Sequence, residues 1–126
     1  MRERILIVDD ESDICFVLKS VLCDNGYFVD SYDDPLIALE KFKPDFYNLA
    51  ILDIKMPELD GFALYRKIKR LDIKVKICFL TAGEMYHSLD SDISSSIPTN
   101  YLIRKPIENE ELVTRINEII RHKITE

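Results

Sequence analysis

The chain has 126 residues, 47% of them hydrophobic and 32% charged, with a formal net charge of −6. That is the size of one domain with a single core, and the acid excess disfavours direct nucleic-acid binding, which needs clustered Lys and Arg at phosphates. No apolar stretch approaches membrane-spanning length, and Met1-Arg2-Glu3-Arg4 does not resemble a signal peptide. Cys15, Cys23 and Cys78 are odd in number and lack metal-like spacing, so a reduced, cytoplasmic protein is expected.

The periodicity alternates between strand and helix along the chain. Residues 4–9 read as a strand, and from Glu11 to Asn25 the apolar positions Ile14, Val17, Leu18, Val21 and Leu22 follow helical spacing. Gly26 supplies a left-handed stop. Tyr27-Phe28-Val29 begins a second strand. Pro35 opens a helix carrying Leu36, Ile37, Leu39 and Phe42, because its missing N–H costs nothing in a first turn. A third strand ends at Asp53, and Gly61 to Leu71 is helical with Leu64, Tyr65 and Ile68 on one side. Basic residues gather at Arg66, Lys67, Lys69, Arg70, Lys74 and Lys76 and read as a solvated helix face and the turn after it. Val75 to Leu80 is a fourth strand, Tyr101 to Arg104 a fifth, and Glu108 to about Arg121 a closing helix with Leu112, Ile116, Ile119 and Ile120 inward. Between Thr81 and Tyr101 the chain is polar, serine-rich and poor in helix formers. Five such alternations imply an α/β fold, a parallel sheet with helices on both faces.

Two of the apolar runs stop at acids. Ile5-Leu6-Ile7-Val8 precedes Asp9-Asp10, and Leu49-Ala50-Ile51-Leu52 precedes Asp53. Such runs read as buried parallel strands emptying into a site. Two unit charges about 4 Å apart repel by roughly 4 kcal/mol at an effective dielectric near 20. A cation among the acids, or a raised pKa, relieves that repulsion. Oxygen ligands that leave room for water suit magnesium better than zinc or copper. With Thr81 and Lys105-Pro106 downstream, the expected chemistry is phosphoryl transfer.

The set Asp9-Asp10, Asp53 within Leu52-Asp53-Ile54-Lys55-Met56-Pro57, Asp60-Gly61, Thr81-Ala82 and Lys105-Pro106 resembles the receiver domain of two-component response regulators. Five separated elements occur in order, over nearly the whole chain, so residues 1–126 are read as one receiver domain. The resemblance implies a flavodoxin-like, doubly wound, five-stranded parallel sheet of order 2-1-3-4-5, which brings Asp9, Asp10 and Asp53 together at the topological switch point. It implies that Asp53 accepts a phosphoryl group. It makes Asp10 a direct magnesium ligand and Asp9 the holder of a metal-bound water, with Asp53 and the backbone carbonyl of Lys55 completing the protein's share. Thr81 would donate its hydroxyl, and Lys105 its ammonium, to phosphoryl oxygens. The Lys105-Pro106 peptide would be cis. The implied partners are a histidine kinase or histidine phosphotransfer protein upstream, and an output protein or fused output domain downstream. Neither nucleic acid nor membrane is contacted directly, and the domain assists its own phosphorylation without being a turnover enzyme.

A magnesium-dependent phosphohydrolase of the haloacid dehalogenase type needs a second acid two residues after its nucleophile, where this chain has Lys55. A flavodoxin-like carrier needs a hydroxyl- and glycine-rich loop after strand one, where Asp9-Asp10-Glu11-Ser12-Asp13 would repel a flavin phosphate. A degenerate receiver used only for docking is disfavoured because no acidic or basic element is missing. His87 and His122 lack nucleophile context. Lys55 and Gly83 point to a long-lived phosphoryl group, the lysine crowding the path of water and the glycine offering nothing to position it. Receivers commonly place an aromatic three residues before the strand-five lysine. Here Leu102 holds that register and Tyr101 lies one further back, so a weakened switch and a short or mobile helix over 84–100 are expected.

Overall fold

Each apolar run found in the sequence becomes a strand. The computed structural model describes residues 2–81 and 101–121. It contains β1 (Arg4–Val8), α1 (Ser12–Asp24), β2 (Phe28–Tyr32), α2 (Pro35–Lys41), β3 (Leu49–Asp53), α3 (Gly61–Leu71), β4 (Lys76–Thr81), β5 (Leu102–Arg104) and a closing helix, α4 (Asn109–Arg121). All pairings are parallel, in the order β2-β1-β3-β4-β5. Ile5 to Val8 and Leu49 to Leu52 are fully buried, as strands covered on both faces must be. Helices α1 and α4 pack together on one face, α2 and α3 on the other. The described helices include none long and apolar enough to cross a membrane.

Local chemistry sets the helix ends. Asp34 accepts the N–H groups of Leu36 (2.9 Å) and Ile37 (3.4 Å) at the start of α2, and Pro35 occupies its first turn. Asp60 accepts the N–H of Ala63 at 2.8 Å to cap α3. Gly26, at φ 95°, turns the chain out of α1. At the far end of α4, Lys76 of β4 donates to the carbonyls of Ile119 and Ile120 at 2.9 and 2.8 Å, placing a cation where the helix dipole is negative.

Three apolar positions depart from the periodic reading. Val17 is 47% exposed and Cys15 is buried in its place, while Leu36 and Ile37 are 48% and 44% exposed because Pro35 and Ala38 take the sheet-facing side of the two-turn α2. Phe42 caps α2 rather than lying within it, and it is buried. The expected helix over 84–100, Gly83, His87 and His122 lie outside the described residues.

Gly61 is the closest joint in the fold. Its N–H donates to the carbonyl of Ile54 at 2.8 Å, and an added Cβ would sit 2.3 Å from the carbonyl oxygen of Asp53 and 2.8 Å from the Cα of Ile54. Both neighbours are backbone and cannot turn away. Gly61→Ala should therefore cost about 2–3 kcal/mol in urea unfolding, as overpacking against unyielding atoms does. Unchanged stability would mean that α3 is free to shift.

Candidate functional site

The site forms where β1 and β3 end side by side. Val8 pairs with Leu52, so the next residues, Asp9 and Asp53, emerge at the same level of adjacent strands. Both are buried, at 0% and 4% exposure. Asp9 Oδ1 accepts the N–H of Glu11 at 2.9 Å and helps to start α1, whose own N-cap residue makes no side-chain cap. The other oxygen, Oδ2, is buried and, among the described residues, is met by the Lys105 ammonium at 2.9 Å.

Lys105 reaches this point from the far side of the sheet. Its N–H donates to the carbonyl of Thr81 at 2.8 Å, which ties the end of β5 to the end of β4. The Lys105-Pro106 peptide is cis, as the resemblance implied. Besides Asp9, the ammonium lies 3.3 Å from Glu11 Oε1 and 3.4 Å from Asp53 Oδ1.

One ammonium does not neutralise the group. Oxygens of Asp9, Asp10, Glu11 and Asp53 all lie within 4.8 Å of one another. Burial, and then the charge of Asp9, push the Asp53 carboxyl up to about 7, with a hydrogen bond to Asp10 adding to the rise and Lys105 opposing it. Burial alone would lower the pKa of Lys105, but its bond to Asp9 and the charges of Asp9, Asp53 and Glu11 raise it overall. An all-oxygen set of four acids facing one ammonium fits a small hard divalent cation.

Above the acids opens a cleft of about 530 Å³ lined by Asp10, Glu11, Asp53, Ile54, Lys55, Met56, Pro57 and Lys105. Lys55 is exposed at its edge. Thr81 is buried at the end of β4, one residue beyond the partner of Asp53 in the β3–β4 ladder. The sequence reading missed Glu11. It treated that residue as the start of a helix, although its adjacency to Asp9-Asp10 was the available signal. Leu102 stands opposite Phe79 in the β4–β5 ladder, and Tyr101 is buried one residue earlier, its hydroxyl raised by burial and then by Cys78. Residues level with one another on parallel strands share a face. Leu102 therefore lies on the side of Phe79, whose ring packs against Phe62 and Tyr65 of α3.

Comparison with known proteins agrees with this fold. The family model "Response regulator receiver domain" matches residues 5–117. A "Transcriptional regulatory protein RprY" of Bacteroides fragilis is 32% identical over 120 residues, covering 94% of this chain and 49% of that protein. A "Probable transcriptional regulator ycf27" of Guillardia theta is 36% identical over 121 residues, covering 95% of this chain and 46% of the other. The chain thus spans about half the length of these relatives. A solved response regulator receiver domain protein (CheY-like) from Methanospirillum hungatei superposes with a TM-score of 0.73 at 30% identity, over 95% of this chain and 94% of that one.

The raised Asp53 pKa fixes the sign of a pH effect. Unfolded, this carboxyl ionises near its ordinary 3.8; folded, it holds its proton to about 7. Its penalty is therefore absent below pH 4, grows as pH rises through that interval, and is complete above 7. Asp53→Asn should match the wild type at pH 4 and exceed it by about 2–4 kcal/mol at pH 8 without divalent cation. Millimolar magnesium should stabilise the wild type and narrow that gap. Denaturant melts across this pH range check both; a gap that does not grow with pH rules the effect out.

Proposed function

The chain belongs to the response regulator receiver domain family, and on that footing we propose that Asp53 is its phosphoacceptor, charged from a partner's phosphohistidine. The observation that carries this reading is the buried junction of Asp9, Asp53 and the Lys105 ammonium, with 2.9 and 3.4 Å separating the lysine from the two acids. A carboxylate oxygen of Asp53 attacks phosphorus in line, an O–P bond forms as the donor's N–P bond breaks, and the imidazole nitrogen keeps the electron pair. In this reading Lys105 leaves its carboxylates for the equatorial phosphoryl oxygens, and Thr81 offers its hydroxyl to another.

Asp9, Asp10, Asp53 and the backbone carbonyl of Lys55 are the residues that would hold Mg²⁺, which when bound offsets the repulsion between an anionic nucleophile and an anionic donor. The domain does this work on itself and turns over no substrate. Its upstream partner is then a histidine kinase or histidine phosphotransfer protein. Its downstream partner is an output protein or a joined output domain, and the transcriptional regulators among its relatives support an output directed at transcription. Contact with DNA by this acidic chain itself is not part of the reading. Residues 1–126 act as one receiver domain in the cytoplasm. The haloacid dehalogenase alternative has no support from the relatives, and Lys55 stands where its second acid belongs.

Incubation with a small-molecule phosphodonor and magnesium should add one phosphoryl mass to the wild type and none to Asp53→Ala. No gain in the wild type, or an equal gain in both, removes Asp53 from its role.

The phosphoryl group should also be long-lived. Lys55 lines the cleft that holds Asp53, and in this reading its side chain crowds the approach that a hydrolytic water needs. Lys55→Ala should speed dephosphorylation several-fold, followed as loss of the added mass with time. An unchanged rate would show that the lysine is no shield.

A further inference from the structure

The opposite end of the sheet, where the strands begin, carries a second surface, in which Arg2, Arg4, Lys74 and Lys76 outnumber Glu3, Asp45 and Asp72. A hollow of about 520 Å³ opens there between the start of β1 and the loops leading into β3 and β4, with Arg2, Arg4, Phe46 and Lys74 in its lining. Arg2 lies over the Phe28 ring at 5.2 Å, Arg4 over Phe46 at 4.5 Å and Phe28 at 6.0 Å, and Lys43 over Phe46 at 4.6 Å. Two like charges thus share the Phe46 ring. Among the described residues, Arg2, Arg4, Lys43 and Lys74 form no ion pair. A guanidinium stacked on a ring keeps its N–H edge turned outward, ready for a carboxylate.

The acids of the hollow do not supply that partner. The buried Asp72 spends both oxygens on backbone, accepting Lys74 N–H and Asp45 N–H at 2.9 Å each and so fastening the two loops together. Glu3 and Asp45 make no ion pair among the described residues. The floor is fixed as well. Arg4 N–H donates to Asn48 Oδ1 at 2.8 Å, and Asn48 N–H returns to the Arg4 carbonyl at 2.8 Å. Large apolar side chains flank it, with Phe28 at 51%, Leu71 at 49% and Ile73 at 80% exposure.

We propose that this end of the domain is a docking site for an acidic peptide segment of a partner protein, one that sets carboxylates on Arg2, Arg4, Lys43 and Lys74 and an apolar side chain against Phe28 or Ile73. Charge complementarity selects an acidic occupant, and the exposed apolar side chains select one with more than charge. The concavity favours a chain over a flat bilayer. The surface lies at the far end of the strands from Asp53, and the proposal does not rest on the phosphoacceptor reading.

The test titrates the ¹⁵N-labelled protein with a random glutamate–tyrosine copolymer, with polyglutamate, and with phosphatidylglycerol-rich vesicles. The copolymer should shift amides at residues 2–4, 43–48 and 73–76, and polyglutamate should bind more weakly. The double variant Lys43→Gln/Lys74→Gln, at two exposed positions, should weaken copolymer binding about tenfold, and Arg4→Gln should do so independently. Lys19→Gln on α1 should leave it unchanged. Four results overturn the proposal: no shifts at low ionic strength, equal affinity for polyglutamate, shifts centred on Arg66 and Lys67 of α3, or the same shifts with vesicles. Shifts that grow with protein concentration alone also overturn it, by making the occupant a second copy.

Discussion

Parallel strands that end in acids force negative charge together, and the rest of this site is a response to that. Asp9 and Asp53 cannot spread apart, because Val8 and Leu52 are paired immediately beneath them and buried on both faces. Solvent cannot screen them as it would at the surface. Three partial answers are visible. One oxygen of Asp9 is spent on the amide of Glu11, Asp53 holds its proton into the neutral range, and Lys105 stands between them. None is complete, since one ammonium is shared among three carboxylates. A site left short of positive charge is one that gains most from a cation.

The lysine belongs as much to the sheet as to the acids. Its backbone N–H is held by Thr81, which pairs with Arg104, so the tips of β4 and β5 are fastened together beside the lysine that reaches the acids. Three carboxylates share its ammonium at distances between 2.9 and 3.4 Å. An incoming anion must compete with all three. Glu11 is the most exposed of them, at 61%, and holds one of the longer contacts, which makes it the easiest to exchange.

Much of this was legible in the sequence because burial leaves a plain record. A four-residue apolar run stopping at an acid means a strand that ends at a site, and both runs did so. The convergence of Asp9, Asp53 and Lys105 needed the strand order as well, which came from the resemblance. Side-chain reach left less trace. Glu11 looked like a helix start, and only the fold shows its carboxylate meeting a lysine 94 positions away. Periodicity also overestimated the width of two buried faces. In α1, Cys15 is small enough to lie against the strand ends, where its thiol donates to the carbonyl of Asp9 at 3.1 Å, and Val17 turns outward. In α2, two turns leave room for only one inward row, so Leu36 and Ile37 remain exposed.

The register of β5 bears on how a change at the acids reaches the surface. Leu102, level with Phe79, lies on the same face of the sheet as Thr81, two residues further along β4. A leucine there has no ring to swing between a buried and an exposed position. Tyr101 has the ring, but it is buried and lies one residue before β5 begins. What Leu102 does touch is shared: its carbonyl accepts from Arg115 of α4 at 2.6 Å, two residues before the arginine that pairs with Thr81. The β4–β5 ladder and the Arg115 bond thus join Thr81, Leu102 and α4 through backbone rather than through one side chain.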